Sequence, residues 1–520
     1  MPRVRKSQHP LLDGNFAPTS EVRSPVSCRY KGLIPHELLG GQYVRNGSNP
    51  AIVPSGRSGY HWFDGDGMLT GVYFRRTYDS LKVQPEFVCK YVCTDIYRAS
   101  EKLPARLMPI LPSFTTLINQ SVSIFTLAFE LLRTLFLIAW SYIQLSQSPI
   151  KRISVANTNI IFHDGRALAL NETGPPMRIK LPEIETVDWF TGRESDGVNA
   201  GSKYGFGGPG LLGFFKEWTT AHPHIDPLTQ ELVLLHSTLI PPTPNETKWF
   251  ETGPCLIFHV ANSWDERQGR DEDFVVVNML VCRMTSASIM YLTGDVPSPT
   301  GRKTRSEEEQ CRLYYYQFNL SDQCNNITHE WALSAIWFEL PVVPKSKSMR
   351  NARFVYGYST AQASFGDLTL QALKADCLVK VNAGALIEKG KKESPVRVMG
   401  CVDKRSISEI ITSADPNDPI KVFRMPPGCY GAECSFVSRE GALDEDDGWL
   451  LTFVFDESQL QKVSREQFSE LWIINAKDMQ SVVARVQIPH RVPYGFHGSW
   501  FSESDLRSQR ALDSTSRGKD

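Results

Sequence analysis

The sequence has no excess of one charge, no paired cysteine motif and no apolar run at its start. Its 56 lysine and arginine residues balance 57 aspartate and glutamate residues, for a net charge of −1. Because nucleic-acid binding needs a domain-sized basic surface, this balance argues against a nucleic-acid partner. The eleven cysteines lie between Cys28 and Cys434 without a Cys-x-x-Cys pair, which argues against a disulfide framework or a zinc ribbon. Free thiols and a polar beginning predict a cytoplasmic protein.

Short apolar or alternating runs, each bounded by turn residues, make up most of the chain and predict β-strands. Such runs lie at Ala167–Leu170, Glu231–Leu235, Cys255–Val260, Phe274–Cys282, Arg312–Phe318, Phe354–Tyr358 and Trp449–Phe455. The 33 prolines and 36 glycines suit the turns that connect them. Many short strands predict an all-β sandwich, barrel or propeller. We find no repeat of fixed period, which argues against a repeat-motif propeller.

One segment, Ser121–Ile143, departs from this pattern. It runs for 23 residues and carries only Glu130 and Arg133 as charged residues. About 20 apolar residues suffice to span a bilayer, but two charges near the middle are costly in a single span. A helix that lies in the membrane interface fits this composition better. A helix buried against the β-sheets and a spanning helix are the alternatives.

Three of the eleven histidines stand at the ends of apolar runs beside turn residues. They are His222 in TTAHPHIDP, His259 in LIFHVANSWDE and His497 in VPYGFHGSW. Imidazoles at strand ends can project toward a common point, although spacing alone does not unite residues 37 and 238 positions apart. We interpret four other histidines as surface or structural residues: His9, His36, His329 and His490.

Two acidic motifs that look like ion sites are interpreted as turns, and one glycine-rich motif is not interpreted as a nucleotide site. Glu445-Asp-Asp-Gly lacks the spaced oxygens and the terminal glutamate of an EF-hand. Asp64-Gly-Asp-Gly fits a turn between strands. The glycine-rich stretch Gly205–Gly210 is not followed by a strand–helix unit, so nucleotide binding is not indicated.

Several blocks occur in one order between about residue 35 and residue 502. They are Gly40–Pro50 (GGQYVRNGSNP), His61–Leu69 (HWFDGDGML), Asn157–Ile160, Ala167–Pro176, the three histidine motifs, Trp337–Pro341 (WFELP), Gly431–Phe436 (GAECSF) and Glu445–Leu451 (EDDGWLL). In this order the chain resembles the carotenoid oxygenase family, the carotenoid cleavage dioxygenases, and its fungal members in particular. Any one block alone would be a weak indication.

The resemblance implies an all-β, seven-bladed β-propeller with a helical, membrane-contacting lid and one Fe(II) held by four histidines. Matched motif by motif, His222, His259 and His497 are expected iron ligands, whereas His61 lies in a family motif that supplies none. Neutral imidazole nitrogen is a suitable donor to ferrous iron. A ligating histidine normally donates its other N–H to a carboxylate, and the resemblance assigns that role to Glu172, Glu339 and Glu433.

The same resemblance divides the chain into three parts. Residues 1–34 form an N-terminal extension, and residues 503–520 form a polar C-terminal tail. Residues 35–502 form the propeller, with a helical insertion at about 105–146. The expected localisation is cytoplasmic with peripheral membrane contact through Ser121–Ile143.

The chain departs from the family at one place. The family carries a further ligand histidine in a Met-His-Asp-Phe-type segment, and that segment is missing between about Pro242 and Trp249. The loss amounts to about one blade of roughly 40–50 residues, so one blade is absent or incomplete. Three explanations stay open: a coding segment missing from the gene product, a shortened relative with a three-histidine site, or a non-catalytic descendant. His224 and His236 are the nearest candidates to replace the missing ligand histidine, and neither is a good candidate.

The implied reaction is the addition of O₂ across a conjugated carbon–carbon double bond, which yields two carbonyl products. Family members that cleave hydroxylated stilbenes carry a lysine where this chain has Asn171. A carotenoid, an apocarotenoid or a related polyene terpenoid is therefore the expected substrate. Two alternatives are a non-catalytic propeller that binds apolar terpenoids and a scaffold that recruits partners to a membrane.

Overall fold

The structure is a computed structural model, and thirteen stretches of the chain are described. They are residues 9–53, 59–77, 83–104, 107–145, 148–192, 206, 217–235, 248–268, 274–296, 310–320, 326–361, 373–461 and 469–511. His236 and most of the stretches Pro242–Trp249 and Gly205–Gly210 lie outside the described residues.

Sheet A joins the two ends of the chain. Its order is β1-β5-β4-β3-β26, with β1 at Val22–Ser27, β3 at Gln42–Arg45, β4 at Met68–Arg76, β5 at Val83–Tyr91 and β26 at Gly498–Phe501. The last strand pairs antiparallel with β3, and Gly498 lies opposite Arg45. This pairing sets the segment just before β26 beside the first part of the chain.

Sheet B is a simple antiparallel meander of four strands that follow one another in the chain. It contains β6 (Asn159–His163), β7 (Arg166–Leu170), β8 (Met177–Lys180) and β9 (Glu185–Trp189). A two-stranded ribbon follows, formed by β10 (His224–Ile225) and β11 (Leu232–Val233). The predicted strand Glu231–Leu235 is thus shorter in the structure, because β11 pairs only with the two residues of β10.

Sheet C has the two longest strands and ends in a parallel pair. Its order is β12-β13-β14-β15-β19, with β12 at Leu256–Gln268, β13 at Phe274–Met284, β14 at Cys311–Asn319, β15 at Ile327–Ser334 and β19 at Cys401–Asp403. β12 extends beyond the predicted Cys255–Val260 because its polar second half continues the ladder with β13, as far as Gln268 opposite Phe274.

Sheets D and E contain the remaining strands. Sheet D contains β16 (Glu339–Val342), β17 (Phe354–Ser359), β18 (Cys377–Asn382) and β20 (Ile420–Arg424). Sheet E contains β2 (Arg29–Gly32), β21 (Cys429–Tyr430), β22 (Ser435–Ser438), β23 (Gly448–Asp456), β24 (Ser469–Asn475) and β25 (Val482–Ile488). The central strand β23 is buried on both faces. In β25 alternation is visible: Ala484, Val486 and Ile488 are buried, whereas Arg485 and Gln487 are exposed.

The five sheets pack as the blades of a mostly-β propeller. Three apolar clusters link them in the order B, A, E, D, C: one joins B to A, a second joins A to E, and the largest joins E, D and C. Edge strands of neighbouring sheets also meet, β6 with β26, β26 with β22 and β12 with β16. Among the described residues no apolar cluster joins sheet B to sheet C. The chain between those two sheets contains the short ribbon.

Seven α-helices are present in the described part of the chain. They are α1 (Asp95–Lys102), α2 (Phe114–Ile118), α3 (Ile124–Gln144), α4 (Ser288–Leu292), α5 (Ala383–Glu393), α6 (Ile407–Ile411) and α7 (Glu503–Arg507). The first three lie close together in sequence: α2 and α3 fall within residues 105–146, and α1 precedes them.

Helix α3 has its polar side inward and its apolar side outward. Ser123 caps its first turn, and its Oγ accepts a hydrogen bond from the N–H of Thr126. Thr134 and Ser141 are buried, whereas Phe125 is 83% exposed. Only 17% of the most apolar stretch of the helix is buried, so burial against the sheets does not describe α3. By length and composition it is the one described helix that could cross a bilayer.

The described residues nearest to each end of the chain pack onto the sheets. Leu11, Leu12 and Phe16 are buried in a cluster with Tyr60, Leu373, Tyr430 and Tyr494. The Arg491 guanidinium donates hydrogen bonds to the carbonyl oxygens of Ala17 and Pro18, at 2.8 Å and 2.7 Å. At the other end, Arg510 forms an ion pair with Asp164 of sheet B. Residues 9–20 and 503–511 therefore belong to the packed body.

Candidate metal centre

The structure brings His222, His259 and His497 together at one point. His222 stands two residues before the ribbon strand β10, His259 lies within β12, and His497 immediately precedes β26. The register of β12 is irregular between Ile257 and His259 and again between Val260 and Asn262, and His259 lies opposite Cys282 of β13. In the described part of the chain these residues form the one group of three or more potential metal ligands, and their ligand atoms all lie within 4.8 Å of one another.

The three rings meet at their Nε2 atoms. Nε2 of His497 lies 2.9 Å from Nε2 of His222 and 3.2 Å from Nε2 of His259. The planes of the rings cross one another at 76° to 88°. The three nitrogens therefore lie around a common position with their ring planes nearly perpendicular to one another, and Nε2 of His497 is close to both of the others.

Each histidine carries a carboxylate on its other nitrogen. Nδ1 of His259 lies 2.5 Å from Glu339, and Nδ1 of His497 lies 2.7 Å from Glu433. Nδ1 of His222 lies 3.3 Å from Glu172. A carboxylate accepts, so each Nδ1 is assigned the proton, and each Nε2 carries a lone pair.

Two of the carboxylates are themselves held in place. The backbone N–H of Leu340 donates to Glu339 at 2.6 Å, and the N–H of Gly498 donates to Glu433 at 2.8 Å. Leu340 adopts a positive φ of 47°, an uncommon conformation for a residue with a branched side chain. Both glutamates are buried, and a buried carboxylate is tolerated when it is hydrogen-bonded in this way.

This donor set fits a divalent transition metal. Two nitrogen atoms that each lie about 2.1 Å from one ion, at a right angle to each other, are separated by about 3.0 Å. The observed Nε2–Nε2 separations are 2.9 Å and 3.2 Å. Three lone pairs at such distances repel one another unless a cation lies between them. Burial also lowers the pKa of His222, against the opposing effect of Glu172, which keeps the ring in its neutral, metal-binding form.

Asparagine side chains anchor the backbone that carries the ligands. The N–H of Asn46 donates to the carbonyl of His497 at 2.9 Å, and the side chain of Asn46 donates to the carbonyls of Ala156 and Asn159. The side chain of Asn159 donates to the carbonyl of Ala221, next to His222. Sequence reasoning did not assign these roles, although both asparagines lie within the blocks Gly40–Pro50 and Asn157–Ile160.

Aromatic rings border the histidine cluster, and the Phe258 ring contacts His259 with ring centroids 5.0 Å apart. Phe258 and Phe496 precede two of the ligands in the chain, and Phe63 contacts both, with ring centroids 5.9 Å and 5.3 Å away. Phe114 of α2 stands 6.4 Å from Phe63. Aromatic surface therefore extends from the histidine cluster toward the helical insertion.

The other histidines lie outside this cluster. His61 is buried, with Nε2 3.0 Å from the carbonyl of Met290 and Nδ1 accepting from the N–H of Phe63. Burial lowers its pKa to about 4. His224 faces the Ser348 hydroxyl at 3.3 Å. His224 is therefore not brought to the position of a fourth ligand.

The interpretation of the acidic motifs as turns agrees with their contacts. Asp64 accepts hydrogen bonds from the N–H groups of His61 and Phe114 and from the Ser113 hydroxyl. Glu445 accepts from the N–H of Phe354, and Asp446 pairs with Lys380. These carboxylates serve local structure.

Comparison with known protein families gives two matches to one model, described as retinal pigment epithelial membrane protein. The matches cover residues 15–246 and 238–502. The matches overlap at residues 238–246, which include the first part of the expected break between Pro242 and Trp249.

Among curated proteins, the carotenoid dioxygenase carX of Gibberella fujikuroi is 39% identical over 637 aligned positions, which cover 98% of this chain and 91% of carX. A carotenoid 9,10(9',10')-cleavage dioxygenase of Crocus sativus is 27% identical, over 96% of this chain and 90% of that protein. Since 98% of 520 residues is about 510, about 127 of the 637 positions hold no residue of this chain.

Solved structures show the same fold. The lignostilbene dioxygenase of Pseudomonas brassicacearum superposes with a TM-score of 0.65 at 16% identity, over 96% of this chain and 100% of that chain. A cobalt-substituted apocarotenoid oxygenase of Synechocystis superposes with a TM-score of 0.57 at 17% identity, over 92% and 96% of the two chains.

Proposed function

The chain belongs to the carotenoid oxygenase family, the family of the retinal pigment epithelial membrane protein, and from this premise we propose that it is a non-haem iron(II) dioxygenase. It cleaves a conjugated C=C bond of a carotenoid, an apocarotenoid or a related polyene terpenoid. The two atoms of O₂ end in the two carbonyl products, so the reaction needs no further reductant.

The observation that carries this proposal is the convergence of three Nε2 lone pairs with a carboxylate behind each ring. His222, His259 and His497 would hold the iron, and Glu172, Glu339 and Glu433 would keep each Nδ1 protonated and each ring aimed. Bound iron(II) supplies the activation of O₂ that the cleavage needs.

The surroundings of the cluster support an apolar substrate. The rings of Phe63, Phe258 and Phe496 give the polyene an apolar surface beside the metal. The Asn171 amide donates to Asn157 and accepts from Thr173, so its polar atoms are already engaged by protein. A phenolic stilbene finds no lysine at this position, which favours a polyene.

Helix α3 supplies the contact with a membrane, where polyenes reside. Its exposed apolar side would enter the headgroup region, as an interfacial helix does. Arg133 faces the protein and donates to the carbonyls of Leu107 and Pro109 at 2.6 Å and 2.9 Å, so its charge stays out of the lipid. The protein is then cytoplasmic and peripherally membrane-bound, with α1 to α3 as a lid.

The propeller is proposed to have seven blades over residues 35–502. Five sheets account for five blades, and the ribbon β10–β11 falls in the chain where a further blade is expected. The body also includes part of the expected extension and tail, since residues 9–20 and 503–511 pack against it.

A second candidate function is the binding of apolar terpenoids without cleavage. The specific observation in its favour is the loss of about 127 aligned positions relative to carX, together with the missing fourth histidine. Product formation that depends on Fe(II) and O₂ would eliminate this candidate.

The proposal is tested by the iron content of the purified chain after anaerobic Fe(II) loading, with His497→Ala as the control. We expect about one iron per chain, lost in the variant, and O₂-dependent cleavage of polyenes by the loaded protein. Iron no higher than in the variant would contradict the proposal. Sequencing the transcript across Pro242–Trp249 then distinguishes a faulty gene product from a true loss.

A further inference from the structure

Each ligand histidine and the carboxylate on its Nδ1 form one arm of the metal centre, and the three arms differ in exposure. The side chains of His259 and Glu339 are 7% and 3% exposed, and those of His497 and Glu433 are 10% and 6% exposed. The side chains of His222 and Glu172 are 33% and 53% exposed. Two arms are therefore enclosed by protein, and one opens to solvent.

The hydrogen bonds to the carboxylates differ in the same direction. The two enclosed arms have Nδ1–carboxylate distances of 2.5 Å and 2.7 Å, and each carboxylate also accepts a backbone N–H. The distance in the His222 arm is 3.3 Å. A short bond with a second donor fixes a ring, whereas a long bond to an exposed carboxylate fixes it less.

The backbone support of the His222 arm comes from fewer strands, although His224 just after it also contacts Ser348, between β16 and β17. Thr219 donates to the carbonyl of Gly174, and Asn159 donates to the carbonyl of Ala221. Both contacts tie this segment to sheet B, and the following residues form only the ribbon β10–β11. His259 and His497, by contrast, belong to β12 and border β26, which lie in five-stranded sheets.

We propose that His222 is the exchangeable ligand of this centre, and that its side of the metal is a binding position for a small monodentate azole such as imidazole. This inference rests on the proposed function, because it requires a metal at the three histidines. A free imidazole presents the same nitrogen lone pair as the His222 ring. Its N–H can be donated to Glu172, whose exposed oxygen is within reach of solvent.

The enclosed arms do not offer such a position. Removal of the His259 ring would leave a cavity enclosed by protein, next to the Glu339 side chain, which is 3% exposed. An azole from solution has no open approach to that space. Small azoles are consequently expected to bind the metal only from the His222 side. Bound there, they should inhibit the enzyme, because they fill the coordination position at which ligands exchange.

The test uses cobalt(II) as the metal and the matched variants His222→Gly and His259→Gly. Circular dichroism verifies that both variants fold. We expect the wild-type chain to bind about one cobalt, read from the visible d–d absorption and from metal analysis after desalting. His222→Gly should bind cobalt near this level only when imidazole is added, and with a spectrum close to that of the wild type. His259→Gly should not recover with imidazole.

A second ligand tests the role of Glu172. 1-Methylimidazole has no N–H to donate, and loss of one hydrogen bond to a charged group, about 1.5–3 kcal/mol, predicts a restoring concentration at least about tenfold higher. Equal rescue of both variants, no rescue of His222→Gly, or equal action of the two azoles would overturn the inference. A wild-type chain that binds no cobalt would instead contradict the metal centre itself.

Discussion

The Nε2 atoms of His222 and His497 lie 2.9 Å apart, although 275 residues separate the two histidines in the chain. With Nδ1 of each ring turned to a carboxylate, both Nε2 atoms are acceptors, and neither can bond to the other. The folded chain thus holds two lone pairs against each other, and a cation between them relieves this repulsion.

Metal binding should therefore stabilise the folded protein. When the free metal concentration is about 100 times Kd, the free energy of unfolding should rise by about 2.7 kcal/mol. Chemical unfolding of the chain with and without Fe(II) or cobalt(II), under anaerobic conditions, measures this rise. His497→Ala is the control, and a rise of the same size in that variant would show that the metal binds elsewhere.

The carboxylates should contribute unequally to metal affinity. Glu339→Gln removes the charge behind His259 from a buried position, and we expect a loss of about 10- to 100-fold in affinity, as for other partners of metal-bound histidine. Glu172→Gln should cost less, because Glu172 is 53% exposed and lies 3.3 Å from its histidine. Cobalt(II) titration followed by visible absorption gives both constants. Equal losses would contradict the difference between the arms.

His61 should make stability depend on pH. Burial lowers the pKa of His61 from its ordinary value of 6.5 to about 4 in the fold, so between these values the unfolded chain binds a proton that the folded chain does not. Protonation of His61 therefore has no effect on the free energy of unfolding above pH 6.5. As the pH drops from 6.5 toward 4, the free energy of unfolding falls because of this group, by about 3 kcal/mol in total.

Replacing His61 should remove this dependence. In His61→Gln the fall in unfolding free energy between pH 7 and pH 4.5 should be smaller than in the wild type. His36→Gln changes an exposed histidine and should keep the wild-type profile. Identical profiles for the wild type and His61→Gln would contradict the prediction.

Removing apolar side chains from the outer side of α3 should release the protein from membranes. Phe125 and Phe136 are 83% and 60% exposed, so replacement by Ser should leave the unfolding free energy nearly unchanged. Burial of each Phe in lipid is worth about 1.5–3 kcal/mol, so each replacement should weaken liposome binding at least about tenfold. Leu443→Ser is the control, since Leu443 is also exposed but lies in the connection between β22 and β23, outside the helical insertion. Flotation with liposomes reports the outcome.

The N-terminal segment should be needed for stability. Leu11 is fully buried, and Leu11→Ala should lower the free energy of unfolding by about 2–5 kcal/mol. Leu33→Ala removes a leucine that is 79% exposed and should have little effect. If the two variants unfolded alike, residues 9–20 would be a dispensable extension.

The sequence alone predicted much of the local structure, because strand and helix patterns depend on neighbouring residues. The runs at Phe354–Tyr358 and Trp449–Phe455 correspond to β17 and β23 within one residue at each end. The helix at Ser121–Ile143 begins where Ser123 caps it. Strand lengths such as those of β11 and β12 were less predictable, since they depend on the length of the partner strand.

For the candidate site, the sequence by itself determined which residues are chemically suited to hold a metal, and the family blocks named His222, His259 and His497 together. Only the tertiary structure decided that they meet, because β26 pairs with β3 across more than 400 residues of chain. It also decided that α3 turns Thr134 and Ser141 inward, and that Glu172 stays exposed while Glu339 and Glu433 are buried. These features depend on which sheets pack together, and contacts between distant segments leave no periodic signal in the sequence.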